Sequence, residues 1–307
     1  MNSLIKYKRF LSALMIIIIF SSFSYASIKP KDKGLIAYKK GDYKIALAIW
    51  SKDIAKYERR NKALKCPYYT KAGEVAYKLG KIDLARKYLE AGRYTPFANQ
   101  ETYILLAKIY RKVNNLSLEI TTLEYYVKHF PNGKDIVPFT NRLFETYVES
   151  ENWQESVDLW PKVSEKVRNE IKYKTGLLKS YIGLKEEKKA TALSHEILKS
   201  DSKNITALSF LAKKYFWLAE NSYQAENKAY KKNPSRTQYA HLLKAYKLIT
   251  INFKKALYYF RKLYPLKSTY RNALYLGDTY ARLSNNQKAK YYHTIAEKLK
   301  KSNFSNK

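Results

Sequence analysis

The chain has 307 residues, 46% of them apolar, with 59 lysines and arginines against 26 acids and a formal net charge of +33. The apolar share excludes a disordered chain, the single cysteine excludes an internal disulfide framework, and nine glycines and eight prolines are too few for a fold built of tight hairpins. Leu, Ala, Lys, Glu and Arg fill the runs between these breakers and strand-type alternation is nowhere sustained, so an all-α fold is expected.

The first 26 residues read as a secretory signal peptide. Lys6, Lys8 and Arg9 form a positive start, Phe10 to Phe20 is apolar except for Ser12, and Ser24-Tyr25-Ala26 places small residues at a cleavage site. That order is typical of a leader, and its apolar core is short for a membrane span; an uncleaved anchor is the alternative. The mature chain is then expected to run from Ser27 to Lys307 without a transmembrane span, exported and in the first instance periplasmic. The leader accounts for three positive charges and no acid, which leaves +30 on the mature chain.

From Ser27 onward the chain repeats itself. Gly34, Ala37, Tyr38 and Gly41 recur as Gly73, Ala76, Tyr77 and Gly80, a shift of 39 residues. Each set is followed by an alanine, Ala46 or Ala85, and then by a bulky residue, Trp50 or Leu89. Further along, Ala107, Tyr110, Leu123, Tyr126 and Pro131 follow the same logic, as do Leu177, Tyr181, Ala190 and Ile197. Tyr239, Leu242, Tyr246, Ala256, Phe260 and Leu263 make a later set with one extra residue in its turn, and Leu276, Gly277, Tyr280, Ala289 and Ala296 close the series. Small residues let two antiparallel helices approach and the aromatic residues fill the space between successive pairs. Stacked units then share one continuous core.

These segments resemble the tetratricopeptide repeat, a helix-turn-helix unit of about 34 residues, and the first two also resemble the related Sel1-like repeat through their Gly-x-x-Ala-Tyr spacing. The resemblance implies a right-handed α-α superhelix, a solenoid of about eight helical hairpins. In that register, repeats begin near Ser27, Cys66, Gln100, Val137, Ile171, Ile205, Arg236 and Tyr270. Two units depart from the pattern. The fourth has Phe144 where a small residue belongs and Pro161 in its second helix, which predicts a kink or a shortened helix. The sixth has Gln224 at the alanine position and ends early at Asn233-Pro234.

The resemblance also implies that the first helix of each unit lines a concave binding groove. The positions carried over are Tyr38 and Lys39; Tyr77 and Lys78; Lys108, Arg111 and Lys112; Lys179; Lys213, Phe216 and Trp217; Lys244 and Lys247; and Arg271 and Arg282. Fewer acids share those faces, namely Glu74, Glu101, Glu145, Glu149 and Asp278. A basic groove with interspersed aromatics suits a protein or acidic peptide through cationic contacts and stacking. An anionic envelope polymer or lipid head group held by the basic surface is the alternative, and export argues against nucleic acid. For each residue the bland reading, a solvated lysine or a core aromatic, stands beside the functional one.

Motifs for chemistry are missing. His129, His195, His241 and His293 fall in different units with no metal-ligand spacing, and Gly41 and Gly80 sit in turns rather than in a phosphate loop. Cys66 precedes Pro67 and reads as a packing residue before it reads as a reactive thiol. No cofactor or metal is expected. The function expected is that of a non-enzymatic scaffold in envelope assembly, secretion or polymer export.

Overall fold

The structure, a computed structural model, describes residues 32–305, with side chains described as far as Ser302. The expected leader and the expected start of the first repeat near Ser27 lie outside the described residues. Fifteen α-helices and no strand occur among the described residues, and none of those helices is long and apolar enough to cross a membrane.

The chain divides into two compact units, one up to Ile109 and one from Tyr110. In the first, α1 (Lys33–Lys39) packs on α2 (Tyr43–Arg59), α2 on α3 (Tyr69–Lys78) and α3 on α4 (Ile82–Gly92), before α5 (Gln100–Lys112) begins. In the second, α6 (Leu116–His129) packs on α7 (Ile136–Glu149), followed by α8 (Trp153–Leu159), the single turn α9 (Glu165–Arg168), α10 (Ile171–Gly183) and α11 (Glu187–Ser200). Then come α12 (Ile205–Lys232), α13 (Arg236–Leu263), α14 (Tyr270–Arg282) and α15 (Asn286–Ser305). The pairs α12/α13 and α14/α15 are hairpins, and first helices of successive hairpins also touch, α7 on α10 and α10 on α12. Neighbour-on-neighbour stacking of this kind makes a helical solenoid.

One turn recurs through both units. Residues Gly41, Gly80, Asn114, Glu151, Lys185 and Ser284 all take positive φ, between 54° and 82°. The next amide in each case donates back to the carbonyl five residues earlier, Asp42 to Ala37, Lys81 to Ala76, Asn115 to Tyr110, Asn152 to Tyr147, Glu186 to Tyr181 and Asn285 to Tyr280, at 2.8–3.0 Å. A left-handed residue followed by this long backward bond closes a helix by satisfying carbonyls that have lost their intrahelical partner. Asn115 then caps the following helix, its side chain accepting from the Leu118 amide at 3.1 Å.

The sixth and seventh units differ from the expected hairpins. Their register calls for a turn between Trp217 and Gln224 and another near Thr250, yet α12 and α13 run unbroken for 28 residues each, about 42 Å at 1.5 Å per residue. The reason lies at the turn position itself, which holds Ala219 and Thr250. Alanine is the best helix former, and a β-branched residue resists the left-handed conformation. Four of the six turns are followed by a short polar residue, Asp42, Asn115, Asn152 or Asn285, which Glu220 and Ile251 do not supply, although Lys81 and Glu186 show that the turn also closes without one. The two units therefore contribute one helix each to a single double-length hairpin. It turns at Asn233-Pro234-Ser235, where Ser235 Oγ accepts from the Gln238 amide at 3.2 Å. Its inner half carries the core, with Leu208, Ala212, Phe216, Phe253, Ala256 and Phe260 all buried. Its outer half is held by stacked Tyr223 and Tyr246 at 5.8 Å and by the Tyr246 hydroxyl donating to Asn227 at 2.8 Å.

The fourth unit is irregular as its sequence predicts. Helix α8 stops at Leu159, and Trp160-Pro161-Lys162 forms a 3₁₀ turn. Phe144 is accommodated because a Cβ at Gly176 of α10 would already stand 3.2 Å from its ring, while Trp160 and Tyr173 cover its faces at 5.1 and 5.9 Å.

Elsewhere the small residues perform the packing role their spacing assigns. A Cβ on Gly34 would lie 2.4 Å from Trp50 Nε1, and one on Gly73 would lie 2.5 Å from Leu89 Cγ. Trp50 is 1% exposed and cannot step aside, because its Nε1 donates to Asp32 Oδ1 at 3.0 Å. That carboxylate also caps α1 through the Leu35 amide at 3.0 Å and pairs with Lys71 of α3 at 2.9 Å. Gly34→Ala is therefore expected to destabilise the first unit. The gain of about 1 kcal/mol in helix propensity is outweighed by an overpacking cost of roughly 1–3 kcal/mol. Hydrogen exchange of the α1–α2 amides should accelerate, and unchanged exchange would show that Trp50 has room to move.

Candidate partner-binding groove

Phe216 and Trp217 stand next to one another on α12, and their faces diverge by about 100° of helix rotation. Phe216 turns into the core, 4% exposed, while Trp217 is 48% exposed. Across from them α14 presents Tyr275, which meets Phe216 edge-to-face at 5.0 Å and Trp217 at 6.3 Å. These rings form the floor of an open groove of about 640 Å³ between α12 and α14, flanked by Arg271, Leu274, Asp278 and Arg282. Trp217 also borders a second groove of about 540 Å³ along α12, lined by Lys213, Lys214, Phe210, Leu218 and Lys267 among others. Five of the expected binding residues, Lys213, Phe216, Trp217, Arg271 and Arg282, thus converge on one aromatic wall.

The charges are arranged less uniformly than the sequence suggests. Arg282 forms a two-pronged ion pair with Glu220, at 2.8 Å from Nε and 2.6 Å from Nη2, and its guanidinium lies 4.1 Å from the centre of the Tyr223 ring. Asp278 pairs with His293 at 3.0 Å. The α12–α14 groove therefore balances two arginines against two acids. The groove along α12 sets Lys213, Lys214 and Lys267 against Glu187 alone, so the excess of positive charge lies there. Glu220 escapes notice in the sequence because the repeat register assigns it to a turn. The unbroken helix puts it one turn beyond Phe216 on the groove face.

The other expected residues lie elsewhere. In the first unit, Tyr38 donates to Glu74 at 2.6 Å, and Lys78 donates to the Tyr38 hydroxyl at 2.6 Å while pairing with Glu74 at 2.9 Å. Lys78 Nζ also sits 4.7 Å over the Tyr38 ring and 5.2 Å over that of Tyr43, so it cross-links α1 and α3. Lys39 is exposed and Tyr77 half-buried. Lys108, Arg111 and Lys112 are exposed on α5, Lys179 on α10, and Lys244 and Lys247 on the outer half of α13; none of them lines either groove.

Glu145 and Glu149, which interrupt the basic stripe, are drawn together with buried Glu119 around Arg142. Lys172 adds a further ion pair to Glu145. Cys66 is fully buried, and burial pushes its thiol up, which suits a packing role. No group of three or more His, Cys, Asp or Glu side chains that could hold a metal ion occurs among the described residues.

Three carboxyls carry a pH signature. Burial by itself raises each of them, but ion pairing and hydrogen bonds prevail. Lys71 with the Leu35 amide and Trp50 holds Asp32 below its usual range, Lys172 with Tyr173 and Arg142 does so for Glu145, and Arg282 with Gln224 does so for Glu220. A carboxyl with a depressed folded pKa adds stability that is complete above its unfolded value, about 3.9 for Asp and 4.3 for Glu, and is lost as pH falls through the folded value. The urea midpoint is therefore expected to fall between pH 6 and pH 3, less steeply in Glu220→Gln. An equal slope in that variant would remove Glu220 from the account.

No family model matches the chain, and no curated protein matches it. Solved structures do. A candidate protein-binding protein from Bacteroides ovatus aligns over 71% of this chain and 97% of its own, with a TM-score of 0.50 at 18% identity. MamA from Desulfovibrio magneticus RS-1 aligns over 66% of this chain and 96% of its own, with a TM-score of 0.44 at 12% identity. The C-terminal part of a TPR repeat-containing protein from Cytophaga hutchinsonii aligns over 87% and 94%, with a TM-score of 0.41 at 18% identity. At such identities the likeness, carried by the first of these, is one of fold, and the fold is a solenoid of helical hairpins.

Proposed function

We propose that this solenoid is an exported, non-enzymatic scaffold that seats a protein partner as an extended segment along α12 and α14, serving envelope assembly, secretion or polymer export. The observation that carries this is the half-exposed indole of Trp217 above the Phe216–Tyr275 floor. Large, rigid aromatic anchors in apolar pockets account for most of the energy of protein interfaces. Lys213 and Lys267 on one side and Arg271 on the other suit a segment with an apolar anchor flanked by acids. The balanced charge around Arg282 and Glu220 makes the aromatic wall, rather than the lysines, the main source of affinity.

The test is capture from the protein's own cell envelope at low and high salt, with Trp217→Ala and Arg271→Glu variants beside the parent. Trp217→Ala is expected to weaken binding by about 30-fold or more, the loss of an interface anchor worth about 2 kcal/mol. Binding by the parent should persist in high salt, since exposed charge pairs are screened and apolar contacts are not. A partner released by salt alone and indifferent to Trp217 would remove the groove from the mechanism.

A further inference from the structure

A third concavity, of about 580 Å³, opens where α11, α12 and α13 meet. Its walls are Tyr215, Tyr258, Tyr259 and Ile251, and its rim carries His195, Lys254 and Lys255. None of these residues lines the grooves around Trp217. We propose that this pocket binds an anionic sugar, a sugar ring carrying a phosphate, sulfate or carboxylate group of the sort an anionic glycan presents.

The rings and cations are arranged for such a ligand. Tyr215 and Tyr259 stack nearly parallel, 5.9 Å apart and inclined by 6°. Lys255 Nζ lies 5.1 Å and Lys214 Nζ 5.9 Å from the centre of the Tyr215 ring. Lys262 Nζ lies 4.6 Å from that of Tyr258, whose side chain is half exposed. Tyrosine faces and Ile251 offer an apolar platform to the C–H face of a sugar, and ammonium groups held over those rings meet its charged substituent at the edge. The volume falls within the range of small-ligand sites.

Charge narrows the class. The lining contains no carboxylate. Lys214 has an acid partner, Glu187 at 3.0 Å, and also donates to Thr191 at 2.7 Å, which fixes its position. The groups facing His195 are Lys199 on α11, Lys214 on α12 and Lys255 on α13, and after burial these three push the imidazole down. The lining itself thus carries Lys254 and Lys255 and no acid, which favours an anion at the mouth.

Calorimetric and NMR titration of the full chain with glucose 6-phosphate, glucose, inorganic phosphate and a glutamate oligomer tests the assignment. Glucose 6-phosphate is expected to bind at least about tenfold more tightly than inorganic phosphate or the glutamate oligomer, an increment of about 1.4 kcal/mol, and glucose alone to give no detectable heat. Tyr258→Ala should erase the preference for the sugar phosphate over phosphate. Joint Lys254→Ala and Lys255→Ala should weaken both anions by about tenfold or more, while all three side chains are exposed enough to leave the unfolding midpoint unchanged. Anion binding beside His195 favours the imidazolium, so its pKa should rise on saturation. Equal affinity for phosphate and sugar phosphate, preference for the glutamate oligomer, or affinity untouched by the lysine changes would each overturn the proposal.

Discussion

Replacing Arg142 with alanine is expected to cost about 3–5 kcal/mol, the range for breaking a buried ion pair by removing one partner. Arg142 is 14% exposed and Glu119 only 2%. Its Nε and Nη2 donate to the two Glu119 oxygens at 2.7 and 3.0 Å, its Nη1 and Nη2 to Glu149 at 2.9 and 3.1 Å, and Nη1 also to Glu145 at 3.2 Å. Truncation strands the Glu119 carboxylate between α6 and α7 without a countercharge, and desolvation rather than the lost Coulomb term sets the penalty. Lysine should restore only part of the loss, because one ammonium cannot serve two carboxylates in a fork. Arg142→Met combined with Glu119→Leu should recover most of it, since matched apolar groups replace a buried pair at little cost. Denaturant unfolding of the four proteins decides the matter. A loss below about 1 kcal/mol in the alanine variant, the value of a surface pair, would mean that water reaches Glu119.

The same cluster shows where sequence reasoning stops. Glu145 and Glu149 can be placed on a groove-facing helix by counting, but that Arg142 gathers both depends on where α6 puts Glu119. Lys78 is a similar case: its position assigns it to a binding face, and tertiary structure commits it to Tyr38 and Glu74. By contrast, Gly34 beneath Trp50 and Gly73 beneath Leu89 are legible, because the complementarity of small and large residues recurs at fixed spacing. The unbroken α12 and α13 were encoded too, in Ala219 and Thr250, at a turn position that tolerates Glu151, Lys185 and Ser284. Because that position accepts so many residue types, its identity is a weak cue. The short polar residues Asp42, Asn115, Asn152 and Asn285 follow it in four turns, but Lys81 and Glu186 follow it in the other two, so their absence at Glu220 and Ile251 is a weak cue as well. The aromatic wall at Phe216 and Trp217 was legible, and Glu220 beside it was not, for the same reason of a turn that does not form.

Phe260→Ala is expected to be comparably severe, about 3–5 kcal/mol, and to reach the groove as well. Phe260 is fully buried on α13, stacked on Tyr275 at 5.3 Å and edge-to-face with Phe216 at 6.4 Å. Its removal takes away the surface on which the groove floor rests, and the cavity term adds to the lost transfer energy because surrounding helices relax only in part. Nearest-neighbour coupling in a solenoid confines the damage to adjacent hairpins, so amides of α12 to α15 should exchange faster while those of α1 to α4 stay protected. Phe260→Leu keeps much of the volume and should cost less. Binding supplies the second readout. If the Phe216–Tyr275 floor positions Trp217, Phe260→Ala should weaken the envelope partner even below the unfolding transition, whereas anionic sugar binding at Tyr258, whose wall residues Tyr215 and Ile251 are not in ring contact with Phe260, should weaken less. Equal weakening at both sites would show that the double-length hairpin responds as one body, and the aromatic floor would lose its separate role.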